Sequence, residues 1–152
     1  MYSSVCYIDK LRKDLSIENL QLETQNREYE GATFYIDNIS FRSRLAKLTP
    51  KKKGYFVAFW EKDSNGSNKP FSYSESPENL IIVILDEQLS GYFVFPKDVL
   101  LNKGILKETN SKGKMAIRVY PSWEQDLNKT ASMTQKWQTK YFTNTSNNKD
   151  SF

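Results

Sequence analysis

Residues 80–85 read Leu-Ile-Ile-Val-Ile-Leu, six apolar residues without a break. A strand with one wet face alternates apolar and polar residues, so an unbroken run marks a strand buried on both faces. Everything else in the chain has to be arranged around such a strand. At the N-terminal end, Val5, Ile8, Leu11 and Leu15 are spaced 3-3-4 behind Ser3 and Ser4, which can cap a helix. Near the other end, Leu127, Ala131, Thr134, Trp137 and Tyr141 line one face of a second helix within 124–142.

The rest reads as strands and turns. Leu20 and Leu22 alternate in a polar stretch, and Thr33–Ile36 is a strand ending at Asn38. Phe41–Leu48 alternates, Thr49–Gly54 is turn chemistry with Pro50 and Gly54, and Tyr55–Glu61 is the returning strand of a hairpin. Five large apolar residues, Tyr55, Phe56, Val57, Phe59 and Trp60, are assigned to burial there. Gly91 separates the apolar run from Tyr92–Phe95, and Pro96 opens a short helix over 97–102. Residues 105–113 read as a polar loop and Met115–Tyr120 as a strand stopped by Pro121. The expected fold class is α/β (α+β mixed), a five- to six-stranded mixed central sheet flanked by N- and C-terminal helices. A single domain is expected over residues 1–142, followed by an Asn/Ser/Thr-rich disordered tail at 143–152.

Charge is distributed in blocks. Residues 1–38 hold four Lys/Arg against seven Asp/Glu, and 39–60 hold six against none. Residues 61–111 hold five against eight, and 112–140 hold six against two. Two basic blocks thus alternate with two acidic ones, and the fold can merge the basic pair into one patch. The chain has no histidine, which removes Ser-His and Cys-His nucleophiles and the common zinc sites together. Its single cysteine, Cys6, lies on the apolar face of the first helix and is read as structural. No apolar run approaches the ~20 residues of a membrane span. The N-terminus lacks the basic and apolar regions of a signal peptide, so a cytoplasmic protein is expected.

Four segments occur in order with a familiar spacing: FRSRLAKLTPKKKGYFVAFWEK at 41–62, FPKDVLLNKGIL at 95–106, GKMAIRVYPSW at 113–123 and TQKWQTKYF at 134–142. Together they resemble the MepB family over nearly the whole chain. The resemblance implies a restriction-endonuclease-like, PD-(D/E)xK, core. It also implies a nucleic-acid partner and an association with a multidrug-efflux operon and hence multidrug resistance.

An endonuclease of that fold places an acid on one strand and an acid-x-Lys triplet on the next, where the acids hold Mg²⁺. No lysine here has Asp or Glu two positions before it. Gln138-Thr139-Lys140 is a variant spelling but falls in the last helix. Asp37, Glu61 and Lys62 remain, and Glu61 and Lys62 are adjacent and point to opposite faces of a strand. The catalytic motif therefore reads as degenerate, with no catalytic residue, metal ligand or cofactor assigned, and the balance goes against an enzyme. An active Mg²⁺-dependent nuclease is one alternative, and a protein-interaction module for an acidic partner is another.

The leading reading is a binder of DNA and RNA through basic residues. Lys51, Lys52 and Lys53 stand at a hairpin tip, with Lys47 before them. Arg42 and Arg44 share a strand face suited to bidentate phosphate contact, or else pair with the chain's own carboxylates. Lys112, Lys114 and Arg118 form the second block, with Lys114, Arg118 and Tyr120 on one strand face. Trp123, just past the strand, is the candidate for stacking on a splayed base. With no recognition helix or zinc module, single strands are expected to bind at least as well as duplex.

Overall fold

The computed structural model describes residues 1–11 and 13–146. In chain order the elements are α1 (Ser3–Leu11), β1 (Glu18–Leu22), β2 (Ala32–Ile36), β3 (Ile39–Leu45), β4 (Lys47–Leu48), β5 (Tyr55–Ala58), β6 (Glu61–Lys62) and β7 (Asn68–Lys69). They continue with β8 (Asn79–Asp86), β9 (Leu89–Pro96), α2 (Lys97–Asn102), β10 (Lys107–Glu108), β11 (Ser111–Lys112), β12 (Ala116–Val119), α3 (Lys129–Gln138) and β13 (Phe142–Asn144). The fold is mixed α/β, built on a six-stranded mixed sheet in the order β1-β2-β3-β8-β9-β13. Strands β3 and β8 run parallel, and the other neighbours run antiparallel. No helix among the described residues is long and apolar enough to cross a membrane.

The unbroken apolar run is the middle of β8, and Leu80–Ile84 are buried on both faces as their composition requires, while Leu85 at its end is exposed. Side chains alternate across a strand, so Leu80, Ile82 and Ile84 pack one way and Ile81 and Val83 the other. The first set meets Phe93, Phe95 and Leu100, together with Tyr55, Val57, Phe59, Ile117 and Val119 of the smaller sheet. The second set meets Ile8 of α1 with Phe34, Ile36 and Phe41. Asp37 and Asn38 join β2 to β3 with φ of 51° and 63°, the two-residue turn whose twist matches a hairpin.

Several elements differ from the sequence reading, each for a physical reason. Phe41–Leu48 is not one strand: only its end, β4, forms the expected hairpin with β5, with Leu48 opposite Tyr55. Strand β3 stays in the large sheet up to Ala46, whose N–H donates to Val83 O at 2.9 Å. The chain then crosses over, and β4 joins a separate three-stranded sheet, β12-β5-β4. Within β5 and the residues after it, Tyr55, Val57 and Phe59 are buried, while Phe56, Ala58 and Trp60 are only half-buried. The aromatic run is therefore two-faced, and Phe56 and Trp60 do not belong to the core.

Gly91 lies inside β9, opposite Ile84, and does not end a strand. Glycine is required there because the Phe142 ring of β13 sits 2.5 Å from the position a Cβ would take. Residues 107–112 form the ribbon β10·β11 rather than a loop. The domain also continues past residue 142: Thr143 and Asn144 pair with Tyr92 and Gly91, and Thr145 N–H donates to Ser90 O at 2.9 Å. The remainder of the expected tail, 147–152, lies outside the described residues.

Replacing Gly91 with Ala should destabilise the domain by about 1–3 kcal/mol through overpacking against Phe142. In urea denaturation the loss should shrink in a Phe142→Leu background, because the two positions are in contact and couple. Additive losses would show that the strain is not between them.

Candidate nucleic-acid interface

Arg42 and Arg44 do share one face of β3, but that face is covered. Arg44 is fully buried. One of its terminal nitrogens donates to Glu23 Oε2 and to Ser43 O, and the other to Glu23 Oε1 at 3.1 Å and Asn26 Oδ1 at 2.9 Å. Its Nε donates to Ala58 O at 3.0 Å, so the side chain ties β3 to β5. Asn26 Oδ1 also accepts from Trp60 N–H at 3.2 Å. Arg42 donates to Glu23 Oε1 at 3.2 Å and lies over the Phe71 ring at 3.8 Å. Burial draws the Arg42 guanidinium below its ordinary pKa, while Glu23 pulls the other way. One carboxylate thus holds two guanidiniums, and this clamp occupies the groups that would otherwise reach phosphate.

The second basic block is placed differently. On β12, Ile117 and Val119 point into the core, while Ala116 and Arg118 point outward, followed by Tyr120. Helix α3 packs along this strand through buried Gln138. Its Oε1 accepts from Tyr120 N–H at 2.9 Å, and its Nε2 donates to Arg118 O at 3.0 Å, so the helix completes the edge-strand hydrogen bonding. Asn128 caps the helix by accepting from Ala131 N–H at 2.8 Å.

Two cavities open between α3, β12 and the β4–β5 connection. One of about 220 Å³ is lined by Lys103, Lys114, Arg118, Tyr120, Thr134 and Trp137, among others. The other, of about 430 Å³, is lined by Lys51, Lys52, Lys53, Arg118, Tyr120, Asp126, Asn128 and Thr130, among others. Both share Arg118 and Tyr120, so they form one furrow. It carries six cations, Lys51, Lys52, Lys53, Lys103, Lys114 and Arg118, against the single carboxylate of Asp126.

Two of the six hold the furrow's shape. Arg118 donates to Thr49 Oγ1 at 3.0 Å and Lys53 O at 3.1 Å, which pins the lysine loop. Lys53 Nζ donates to Gln125 O at 2.7 Å and Asp126 O at 3.3 Å, which pins the opposite wall. Gly54, at φ 82°, lets the Tyr120 ring approach within 2.7 Å of where a Cβ would be. Lys51, Lys52 and Lys114 are exposed.

Not every candidate joins the furrow. Lys47 sits opposite Phe56 on β4, with its Nζ 5.4 Å from the Tyr29 ring. Lys112 lies on the β10·β11 ribbon and lines neither part. Trp123 is packed inward: its Nε1 donates to Tyr55 Oη at 3.2 Å, and its ring meets Tyr55 and Phe142 edge-on at 6.3 and 5.5 Å. Lys103, Asn128 and Thr130 are not among the sequence candidates, and Thr134, read as part of the helix's packing face, lines the furrow instead. The polar residues Asn128 and Thr130 at the start of the amphipathic C-terminal helix are the signal that points to this wall.

The acidic candidates are scattered. Asp37 is in the β2–β3 turn, and Glu61 lies on the β6·β7 ribbon, 4.0 Å from Lys69. Among the described residues no three Cys, Asp or Glu side chains converge to hold a metal ion.

A family profile described as MepB-like matches residues 23–144. The chain belongs to the MepB-like family. The match starts at Glu23 of the clamp and ends at Asn144 of β13, so it contains every residue of the furrow. A crystal structure of MepB is similar at 49% sequence identity and a TM-score of 0.86, covering 95% of this chain and 98% of that one. A bacterial homing endonuclease is similar at 13% identity and a TM-score of 0.45, with 88% and 83% covered. No curated protein matches the chain.

Replacing Glu23 with Ala should cost roughly 3–5 kcal/mol, because it strands the buried Arg44 charge. Denaturant unfolding measures this, and a loss below 1 kcal/mol would mean that the guanidinium finds other partners. A second expectation concerns Tyr55, whose phenol is pushed up in pKa by burial and by donating to Asp86 Oδ2 at 2.6 Å. A raised pKa favours folding while the phenol is protonated. Its stabilisation should therefore be constant below about pH 10, the ordinary tyrosine value, and fall above it as the unfolded chain ionises first. The stability difference between wild type and Tyr55→Phe, measured from pH 7 to 11, should narrow only at the alkaline end.

Proposed function

We propose that this MepB-like protein binds nucleic acid, DNA and RNA alike, along the furrow between α3, β12 and the lysine loop. The observation that carries this reading is the excess of six cations over one carboxylate in a single concave strip. Each phosphate neutralised by such a strip releases condensed counterions, which drives binding without reference to sequence. Arg118 and Lys53 are held by main-chain and hydroxyl oxygens, so part of the charge is pre-positioned. Single strands are bound at least as well as duplex, because Tyr120 lies among the cations and a ring can stack only on an unpaired base.

The same protein binds without cutting. Hydrolysis on an endonuclease-like core needs carboxylates converging on a divalent ion. Here the buried carboxylate Glu23 converges with two guanidiniums instead. Their positive charge opposes a cation at that place and satisfies the acid internally. The family resemblance supports an endonuclease-like, PD-(D/E)xK-derived core whose site has degenerated, a cytoplasmic setting, and a role linked to a multidrug-efflux operon.

Fluorescence anisotropy with labelled single- and double-stranded oligomers over a salt series tests this reading. Binding should weaken steeply with salt. Lys51→Ala combined with Lys52→Ala should flatten the log–log salt slope for single strands by about 1.4, at about 0.7 per phosphate. Salt-independent binding, or a clear preference for duplex, would overturn it. Mg²⁺-dependent cleavage lost in Glu61→Ala would replace it with a nuclease.

A further inference from the structure

The furrow is rich in cations, but the rings that line it are Tyr120 and Trp137, while half-buried Trp123 is engaged with Tyr55 and Phe142 outside it. A further aromatic surface lies next to it, on the outward face of the three-stranded sheet. We infer that this face is a second subsite, which stacks unpaired bases of a single-stranded nucleic acid whose phosphates follow the furrow. The inference rests on the nucleic-acid reading of the furrow and adds where the bases go.

Register carries the first step. Phe56 pairs with Arg118 on one side and Lys47 on the other, so the three form one row across the sheet. Ala58 pairs with Ala116 in the next outward row. Trp60 follows on the same side, as the alternation from Tyr55 to Trp60 shows. The face is thus a floor of two methyl groups with an aromatic ring at each end. Phe56 and Trp60 are four residues apart, about 13 Å at ~3.3 Å per residue. Stacked nucleotides repeat every ~3.4 Å along a strand, so the floor has room for about three bases between the two rings.

Charge carries the second step. Lys62 Nζ lies 5.2 Å from the Trp60 ring, and the Arg118 guanidinium lies 5.8 Å from the Phe56 ring. Each ring therefore carries a cation over one face, which leaves the other face for a base and a positive charge for its phosphate. Tyr29 leans on Phe56 at 5.8 Å and extends that wall. Arg118 belongs to both surfaces, so backbone and base contacts meet at one residue. An acidic peptide would satisfy the cations but leave the aromatic ends without a planar partner. A duplex would present phosphates but hide its base faces.

The test compares two fluorescent oligomers of equal length and charge, oligothymidylate and an abasic phosphodiester. The wild-type protein should prefer oligothymidylate by about tenfold. Phe56→Leu and Trp60→Leu, which keep apolar bulk but lose the ring, should each narrow that ratio. Lys51→Ala with Lys52→Ala should weaken both oligomers together. Quenching of tryptophan emission by oligothymidylate, much reduced in Trp60→Phe, gives a readout independent of affinity. Equal affinity of the wild type for the two oligomers, or an unchanged ratio in both leucine variants, would overturn this inference and leave the furrow standing. Failure of the wild type to bind either oligomer would remove the furrow reading and this one with it.

Discussion

The fold turns on the contact between Arg44 and Glu23. A guanidinium taken out of water is costly unless its donors are matched and its charge is met. Here the donors reach Glu23, Asn26, Ser43 O and Ala58 O. Those partners come from the end of β1, the turn after it, β3 itself and β5. A single side chain thereby fixes the large sheet, the small sheet and the 26–30 turn relative to one another. An apolar residue of similar volume could fill the space, but it could not hold three backbone segments in register by direction. Gly31 shows how close the packing is, since a Cβ there would sit 3.0 Å from the Arg44 guanidinium.

The position of the furrow follows from that arrangement. Once β3 is clamped, the chain leaves the large sheet after Ala46 and pairs as β4 with β5. The lysine loop must then emerge at the end of the small sheet, beside the last residues of β12. Helix α3 closes the other side because Gln138 supplies the hydrogen bonds that edge strand lacks. Two basic blocks about seventy residues apart in sequence are brought together by the pairing of β5 with β12, as in the bond from Arg118 to Thr49. Such a surface is a product of topology rather than of any local run of lysines.

That distinction explains what could be read from the sequence. Period and composition are local, so the buried strand at 80–85, the helix at each end, the outward face of Arg118 and Tyr120 and the exposed lysine tip were all legible. Pairing is not local. Glu23 lies nineteen and twenty-one residues before the two arginines it holds, and no spacing rule announces such a partnership. The same limit hid the packing of half-buried Trp123, which depends on Phe142 of the final strand. Phe56 and Trp60 failed for a different reason. Their run is apolar throughout, and only the period of two separates Tyr55, Val57 and Phe59 from Phe56, Ala58 and Trp60.

The basic stretch at 39–60 therefore divides by geometry rather than by sequence position. Arg42 and Arg44 turn inward and spend their charge on Glu23, Lys47 faces the open side of the small sheet, and Lys51–Lys53 turn toward the furrow. A net charge of six over that stretch overstates what a ligand meets there, but the furrow recovers cations from elsewhere, Lys103 after α2 and Lys114 before β12. The internal clamp and the external strip also depend on each other. Without a carboxylate to hold them, two guanidiniums on β3 would have to reach water, and the crossover that presents the lysine loop would lose its anchor. The cationic residues deepest in the fold thus point away from the surface; they hold in place the sheet whose cations line the furrow.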